Sequence, residues 1–406
     1  MGTCSPRHGV GDRVHRTVSG LLPLVARALA KDRGFVGTVA PSQWLLVEHS
    51  PGGDAAPGVA RIAAVGRALP PARVSTDELM ASTRHRTRID LERLTGVHER
   101  RVGDGTDDSF TLAVKAAVDC LAHTSYGPED LDVVISCSIT KFRDGLTQWL
   151  DPPMSVAVAQ AIGATSATTF DVSNACAGML TGVFILNDWI RQGAIRTGLV
   201  VSGEFISSLA RNAARHVRNI MSRELASLTL GDAGAAMLVE RSPDDKPGIT
   251  VTGFTTIAEH SRLCVAYPSS HEPGARMFTR SQALQVAAIR DTPILLREAL
   301  EAAGLEIEDI DHVVPHQTST RAIRKGMAHV TQALGGEPTH PVVVTVDHYG
   351  NTASTSHTVA LVDELEAGRI RPGDTVALVA LASGLVIGVV LFRADENLVQ
   401  SYGHAS

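Results

Sequence analysis

Lysine, aromatic residues and cysteine are scarce in this chain of 406 residues, and each scarcity excludes a class of protein. Only 5 lysines and 4% aromatic residues accompany a formal net charge of −6, which argues against nucleic acid as the main partner. The 5 cysteines lie far apart without a Cys-x-x-Cys pair, so a disulfide framework and a zinc ribbon are excluded. No uncharged run of about 18 apolar residues could span a membrane. These features predict a cytoplasmic protein.

What is present is a pattern of alternating strands and helices. Short apolar runs rich in β-branched residues are separated by segments of helical periodicity, and they occur at residues 133–135, 198–201 and 376–380. Such runs are typical of buried parallel strands, so the pattern predicts an α/β fold. Residues 1–56 lack it and are predicted to form an N-terminal extension, either a surface appendage or a contact to a partner.

Two short sequence matches indicate that the α/β unit occurs twice. Residues 129–134 resemble residues 308–314, and residues 193–198 resemble residues 368–373. The offsets are 179 (309 − 130) and 175 (368 − 193) residues. Matches in the same order at nearly the same offset indicate a duplication, with chance as the alternative for sequences this short.

The duplication predicts where the domains begin and end. A stretch containing Pro and Asp near residues 242–247 is typical of a linker between two halves. The predicted units are the extension, a first half with a nucleophilic cysteine, a second half with a histidine and an asparagine, and a tail: residues 1–56, 57–242, 247–395 and 396–406.

The candidate for chemistry in the first half is Cys176. A strand is predicted to end at about residue 172, with Ser173 or Asn174 capping a helix that runs through about residue 190. This helix is apolar on nearly all sides and is therefore predicted to be buried. Cys176 then lies in its first turn, where the helix dipole stabilises a thiolate. This is the geometry of a nucleophile; the alternative is a small buried cysteine.

The repeat offset connects Cys176 with Asn351, because 176 + 175 = 351. Asn351 lies at the start of a helix that runs toward Leu365, so the duplication predicts that it faces Cys176 across a pseudo-twofold axis. An amide can donate a hydrogen bond to a developing oxyanion without acting as a base. The alternative is an ordinary turn and cap sequence.

His316 is predicted to lie where a strand ends and a helix begins, a usual location for active-site residues in open α/β sheets. A histidine that is neutral at pH 7 can donate to a carbonyl oxygen or accept a proton. The chain has 16 histidines, so a structural histidine is the alternative. No other pair of histidines shows the spacing of a zinc site.

Three motifs, in this order, resemble the thiolase superfamily: Asn-Ala-Cys-Ala-Gly around Cys176, Pro-His-Gln around His316, and Tyr-Gly-Asn-Thr-Ala-Ser around Asn351. The similarity is closest to β-ketoacyl synthase III enzymes, whose Gly-Asp-Gly-Ala-Ala turn resembles Gly-Asp-Ala-Gly-Ala-Ala at residues 231–236. It covers roughly residues 57–395 and favours the nucleophile interpretation of Cys176.

The resemblance implies a five-layered αβαβα fold built from two duplicated halves, an obligate dimer, and acyltransferase activity without a cofactor or metal. Cys176 would take an acyl group from a thioester of CoA or acyl carrier protein. His316 and Asn351 would stabilise the enolate of the second thioester, which attacks the acyl-cysteine. The chemistry agrees, since a thiolate attacks a thioester readily and neutral donors stabilise an enolate oxygen.

One segment departs from the family pattern. The glycine-rich loop at a strand end, which supplies an oxyanion amide in the family, corresponds to residues 380–388, where two glycines are replaced by Ala380 and Ala382. The backbone position of this loop is therefore open. Ser383 and Gly384 are predicted to line the oxyanion and acyl pocket.

The reaction depends on how the enolate arises. Malonyl donors lose carbon dioxide, whereas a plain acyl thioester needs a base to remove its α-proton. Asp151 precedes Pro152 in a segment similar to the Glu-Pro segment of enzymes that join two fatty acyl-CoAs in olefin and β-lactone pathways. In those enzymes the Glu reaches the partner subunit's site as the base, and Asp is one methylene shorter. A turn residue is the alternative role.

These observations favour head-to-head condensation of two fatty acyl-CoAs without decarboxylation. Either Asp151 serves as the base, or the chain belongs to a heterodimer whose related chain supplies a longer carboxylate. Residues 170–177 also resemble the acyl-CoA-joining subgroup. The alternatives are decarboxylative condensation with a malonyl thioester, acyl transfer to a hydroxyl or amine, and a subunit that only contributes Asp151.

Overall fold

The computed structural model of the chain describes residues 45–47, 58–243 and 248–403. Nearly all of the predicted N-terminal extension lies outside these residues, as does most of the predicted linker. The domain boundaries stay predictions. In the described residues the strands are β1 (Leu45–Val47), β2 (Ala60–Ala68), β3 (Arg73–Ser75), β4 (Glu99–Arg101), β5 (Val133–Ser136), β6 (Phe142–Arg143), β7 (Thr147–Gln148), β8 (Thr168–Asp171), β9 (Thr197–Glu204), β10 (Ala233–Arg241), β11 (Ile249–Thr256), β12 (Cys264–Pro268), β13 (Ala275–Thr279), β14 (His312–Pro315), β15 (Thr375–Ala382) and β16 (Val386–Arg393).

The α-helices of the same residues alternate with these strands. They are α1 (Thr76–Ala81), α2 (Leu91–Thr95), α3 (Ser109–Ala122), α4 (Met154–Ile162), α5 (Gly178–Arg191), α6 (Ser207–His216), α7 (Ser281–Ala303), α8 (Thr320–Leu334), α9 (Val346–Tyr349), α10 (Ser356–Glu366) and α11 (Glu396–Gln400). Short 3₁₀ turns precede α5 and α10, at Ala175–Ala177 and Ala353–Thr355.

Two five-stranded sheets have the same internal order, which confirms the duplication. The first is β2-β10-β9-β5-β8 and the second is β1-β11-β16-β15-β14. Thus β11, β16, β15 and β14 take the places of β2, β10, β9 and β5. The place of β8 is taken by an irregular segment: the N–H of Val343 donates to the carbonyl of Val313 at 3.0 Å.

The strands are only partly parallel, which refines the expectation from the apolar runs. β5 runs parallel to β8 and β9, and β14 runs parallel to β15, whereas β10 and β16 pair antiparallel with their neighbours. All eight residues of β9 are buried. A strand covered on both faces needs apolar or small residues throughout, and this is why it has no alternating pattern.

The layers are those of the predicted αβαβα arrangement. α5 and α10 lie between the sheets, with contacts to strands of both; α3 covers the outside of the first sheet and α7 covers the second. The side chains of Leu180, Val183, Leu186 and Ile190 on α5 are 0% exposed. A helix between two sheets must be apolar on nearly all sides, so the composition of α5 reflects its central layer. In the described residues, no helix is long and apolar enough to cross a membrane.

Candidate active site

Cys176 lies at the start of the central helix α5, in the turn that follows the edge strand β8. Ala175 has a positive φ of 45°, a conformation that costs energy for a residue with a side chain and that often marks functional sites. Cys176 is the middle residue of the 3₁₀ turn. The predicted cap is not formed by Asn174, whose Nδ2 donates instead to Thr181 Oγ1 at 2.8 Å.

The surroundings of Cys176 do not favour a thiolate in the free protein, contrary to the expectation from the helix dipole. Burial raises the pKa of the Cys176 thiol, and nearby Cys264 and Glu204 raise it further. Burial disfavours the charged form of a thiol. If Cys176 is the nucleophile, its proton must move when it reacts.

His316 directly follows β14, at the predicted strand end. Its N–H donates to the carbonyl of Val379 on β15 at 2.8 Å, and its ring is buried. Burial, with a smaller contribution from His357, lowers the pKa of His316 to about 3. The imidazole is therefore neutral at physiological pH.

The ring of His316 contacts Ser356, at the start of α10. The Nδ1 atom lies 2.8 Å from Ser356 Oγ, and the same hydroxyl oxygen accepts from the N–H of Gln317 at 3.5 Å. When the serine hydroxyl donates to Nδ1, the ring proton of His316 is on Nε2, where it can act as a donor.

Gln317, which sequence reasoning passed over, holds this part of the site together. Its Oε1 accepts from the N–H of Thr345 at 2.9 Å and of Val346 at 3.2 Å, and its Nε2 donates to the carbonyl of Val343 at 3.1 Å. These bonds tie the end of β14 to the segment that leads to Asn351. The sequence feature that could have identified Gln317 is its position directly after His316.

The amide of Asn351 is oriented by its own backbone turn. Its Oδ1 accepts from the N–H of Ala353 at 2.9 Å, so the Nδ2 donor points away from that bond. Its N–H donates to Thr229, and its carbonyl accepts from the N–H of Gly231 at 3.1 Å. A Cβ at Gly231 would lie 2.2 Å from the carbonyl oxygen of Tyr349, so this approach requires glycine.

The turns of Cys176 and Asn351 face each other, but in a different register from the predicted one. The 3₁₀ turns Ala175–Ala177 and Ala353–Thr355 are in contact, and Ala353 has a φ of 53°, close to the 45° of Ala175. The offset is therefore 178 (353 − 175), and the counterpart of Cys176 is Ser354. The pairing of Cys176 with Asn351 by an offset of 175 was wrong by three residues, because that offset comes from a match after the turn, and between the turn and the match α10, with 11 residues, is three residues shorter than α5, with 14.

The elements around the Cys176 turn bring the three motif residues to one place. β15 contacts the turn, and His316 is bonded both to β15 and to the helix that follows the Ala353–Thr355 turn. The arrangement can hold an acyl group on sulfur beside two neutral donors. The roles of Cys176, His316 and Asn351 stay predictions.

Ser383 and Gly384 lie in the turn between β15 and β16. Ala380 and Ala382, which replace the family's glycines, are ordinary strand residues paired with Gly388 and Val386. The unusual backbone conformation is carried by Gly384, whose φ is 147°. Ala382 belongs to the cluster against which Cys176 packs. The turn is therefore near the thiol, while the pocket role of Ser383 and Gly384 stays a prediction.

Asp151 lies apart from this interior site. It is exposed, and its neighbour Leu150 is 83% exposed. The helix that follows Asp151 is α4, and its first turn is bonded to the end of β8, where Asp171 accepts from the N–H of Ser155 at 2.9 Å. A base at Asp151 would therefore act in the site of another chain.

A buried carboxylate that the motifs did not indicate lies next to the facing turns. Glu204 ends β9 and is 0% exposed. Its Oε1 accepts from Ser354 Oγ at 2.5 Å and from the N–H of Ile139 at 2.8 Å, and its Oε2 accepts from Thr140 Oγ1 at 3.1 Å. Burial raises the pKa of Glu204 to about 7, against the effect of these bonds. The sequence feature that could have identified Glu204 is a carboxylate at the end of a buried strand made of apolar and small residues.

With this geometry described, the chain can be compared with known proteins. A family model described as 3-oxoacyl-[acyl-carrier-protein] synthase III matches residues 170–259, and the model of its C-terminal region matches residues 300–394. β-Ketoacyl-[acyl-carrier-protein] synthase III of Symbiobacterium thermophilum is 31% identical over 331 residues, which cover 76% of this chain and 93% of that protein. The chain belongs to the β-ketoacyl synthase III family.

Two solved structures show how far the fold agrees with the family. A histidine-to-asparagine variant of Xanthomonas campestris OleA matches with a TM-score of 0.73 and 25% identity, over 83% of this chain and 98% of that one. 3-Oxoacyl-[acyl-carrier-protein] synthase III of Aquifex aeolicus matches with a TM-score of 0.70 and 26% identity, over 82% and 100%. The thiolase-like fold and the condensing acyltransferase class are thereby established for this chain.

Nowhere in residues 58–243 and 248–403 do three or more His, Cys, Asp or Glu side chains form a group that could hold a metal ion.

Proposed function

We propose that this chain joins two fatty acyl thioesters by a Claisen condensation that releases no carbon dioxide. The proposal is supported by the contacts around the turn of the partly buried Cys176: the facing turn holds Asn351, whose Oδ1 accepts from the N–H of Ala353, and β15, which also contacts the Cys176 turn, binds His316, whose Nδ1 lies 2.8 Å from Ser356 Oγ. Neutral donors stabilise an enolate oxygen without taking the proton needed elsewhere.

In the first half-reaction, Cys176 attacks the first thioester and releases its thiol, leaving an acyl-cysteine. The backbone amides of the Ser383–Gly384 turn are the proposed donors to the carbonyl oxygen of this intermediate. In the second half-reaction the enolate of the second thioester attacks the acyl carbon. Cys176 leaves as a thiol, and a β-keto thioester is the product.

The choice of two acyl thioesters as substrates is supported by the likeness to OleA and by the resemblance of residues 170–177 to the acyl-CoA-joining subgroup. It requires a base for the α-proton. Asp151 beside the exposed Leu150 fits a contact in which the carboxylate enters the site of a second copy or of a related chain. We therefore propose that the acting form is a dimer.

Decarboxylative condensation with a malonyl thioester is the second candidate. It is favoured by the relatives, which are named β-ketoacyl synthase III, and by the exposure of Asp151. Carbon dioxide loss creates the enolate without a base, so Asp151 would then be a turn residue.

The experiment that separates the candidates uses tetradecanoyl-CoA with and without malonyl-CoA, with products identified by mass spectrometry. A head-to-head β-keto product without malonyl-CoA is the expected result. A product two carbons longer that forms only with malonyl-CoA would contradict the proposal and establish the second candidate.

The base is tested in the same assay. Asp151→Asn is expected to lower condensation about a hundredfold while leaving acylation of Cys176 unchanged, and Asp151→Glu is expected to retain or raise it. Asp77→Asn, another exposed aspartate, is the matched control. If Asp151 acts across a dimer, mixing Asp151→Asn chains with Cys176→Ser chains restores condensation, because each mixed dimer contains one complete site.

A further inference from the structure

We infer that Glu204 accepts the proton of the Cys176 thiol through the hydroxyl of Ser354 during acylation, and returns it to the leaving thiol of the donor. This makes Glu204 a positioning residue for proton transfer in the first half-reaction. The step precedes condensation, so it does not depend on which second substrate is used.

The proposed path from sulfur to carboxylate runs through the two facing turns, and its first step, from the Cys176 sulfur to the Ser354 hydroxyl, is part of the proposal. Ser354 is the structural counterpart of Cys176, and its turn contacts the Cys176 turn. Its hydroxyl lies 2.5 Å from Glu204 Oε1 and 2.8 Å from Ser202 Oγ. The carboxylate is thus one hydroxyl away from the turn that carries the nucleophile.

The Glu204 carboxylate is buried, and its hydrogen bonds go to neutral groups. Glu204 is 0% exposed, and none of its hydrogen-bond partners in the described residues is charged: they are Ile139, Thr140, Ser202 and Ser354. A buried carboxylate without a cationic partner is costly. Its retention beside a nucleophile is explained by proton transfer.

The thiol and the carboxylate disfavour each other's charge. Burial raises the pKa of the Cys176 thiol, and Cys264 and Glu204 raise it further. Burial also raises the pKa of the Cys137 thiol, Asp171 and Glu204 raise it further, and Lys141 lowers it. The site therefore favours a single negative charge. Moving one proton from sulfur to the carboxylate keeps that charge constant and creates the thiolate.

His316 is unsuited to accept this proton. Burial lowers its pKa to about 3, and its Nδ1 is already occupied by Ser356. Glu204, with a pKa raised by burial to about 7, is far closer to the pH at which a base is effective. The two groups thus have different roles: His316 donates a hydrogen bond, and Glu204 accepts the proton of the thiol.

The step is balanced. The S–H bond of Cys176 breaks as sulfur bonds to the acyl carbon, and the proton passes to Ser354 Oγ while the proton of Ser354 passes to Glu204. The bond between the acyl carbon and the donor sulfur then breaks, and Glu204 returns the proton to that sulfur by the same route. The products are acyl-Cys176 and a free thiol.

The test measures the rate of Cys176 acylation by tetradecanoyl-CoA between pH 6 and 10. Samples are taken by rapid quench, and the acylated fraction is determined by mass spectrometry of the intact protein. The wild-type rate is expected to rise with pH up to about 7 and then level off, because the carboxylate must be ionised to accept. Glu204→Gln is expected to be about a hundredfold slower at pH 7 and to rise tenfold per pH unit above it, since solvent must then remove the proton. Ser354→Ala, which keeps the carboxylate, should show the same rising profile.

Glu240→Gln is the matched control, because Glu240 is a buried carboxylate on β10, next to β9, paired with Arg61. It should keep the wild-type pH profile. An unchanged rate and profile in Glu204→Gln overturns the inference, and so does a loss that is equal at every pH, which indicates a structural role. If Glu204→Gln does not fold, an unchanged Ser354→Ala profile overturns it equally. None of these outcomes depends on whether a β-keto product forms.

Discussion

The two halves of this molecule use the same local structure for opposite tasks. In each half a segment at the sheet edge leads through a left-handed alanine into a 3₁₀ turn and a central helix. In the first half the middle residue of the turn is Cys176, and in the second half it is Ser354. The first places the thiol that we propose as the nucleophile, while the second places a hydroxyl bonded to Glu204 and, three residues earlier, the amide of Asn351. The duplication thus supplies one covalent side and one polar side of a single site.

The largest expected effect comes from breaking the covalent side. Cys176→Ser should lower acylation by tetradecanoyl-CoA by at least about a thousandfold, because an alcohol is a far poorer nucleophile toward a thioester. Acylation is measured as the gain in mass of the intact protein. Cys264→Ser, which removes a second thiol near the first, is the control and should still be acylated. Persistent acylation of Cys176→Ser would transfer the nucleophile to another residue.

Breaking the polar side should have a smaller and more selective effect. Asn351→Ala is expected to lower condensation by about a hundredfold to a thousandfold, as the loss of an oxyanion donor does, and to leave acylation of Cys176 intact. Product and acyl-enzyme are measured separately by mass spectrometry. His348→Ala, at an exposed histidine, is the control. Equal loss in both half-reactions would show that Asn351 has a structural role instead. If the Asn351→Ala variant still transferred the acyl group to a hydroxyl or an amine, that result would favour the alternative function as an acyltransferase to those groups.

The contact between Gly231 in the first half and Tyr349 in the second is tested by measuring protein stability instead of catalytic activity. Gly231→Ala would place a Cβ 2.2 Å from the carbonyl oxygen of Tyr349 and should lower the free energy of unfolding by about 2–4 kcal/mol. Thermal unfolding measures this. Gly105→Ala, where a Cβ meets nothing within 4 Å, should change little. If the Gly231→Ala variant were as stable as the wild type, the segments of Gly231 and Tyr349 could move apart at little cost in the free energy of unfolding.

Much of this arrangement could be predicted from local sequence. The burial of α5, its start near Cys176 and the strand end before His316 all followed from periodicity and residue type, because local propensity and burial agree there. The register of the repeat did not: Ser354, rather than Asn351, is the counterpart of Cys176, since the three-residue difference in length between α5 and α10 shifts the sequence matches without changing the fold. The desolvation of Cys176, which raises the pKa of its thiol and so opposes the expected effect of the helix dipole, was also not visible in the sequence.

The sequence by itself determined the fold class, the duplication and the identity of the motif residues, because strand and helix patterns and the order of motifs are properties of the chain alone. Only the tertiary structure decided which side chains share an environment. Glu204, Gln317 and Ser356 are distant in sequence from Cys176, and their importance arises from hydrogen bonds and burial that exist once the sheets enclose α5 and α10. Electrostatic energies depend on desolvation and on distances across the fold, and these are fixed only when the layers pack.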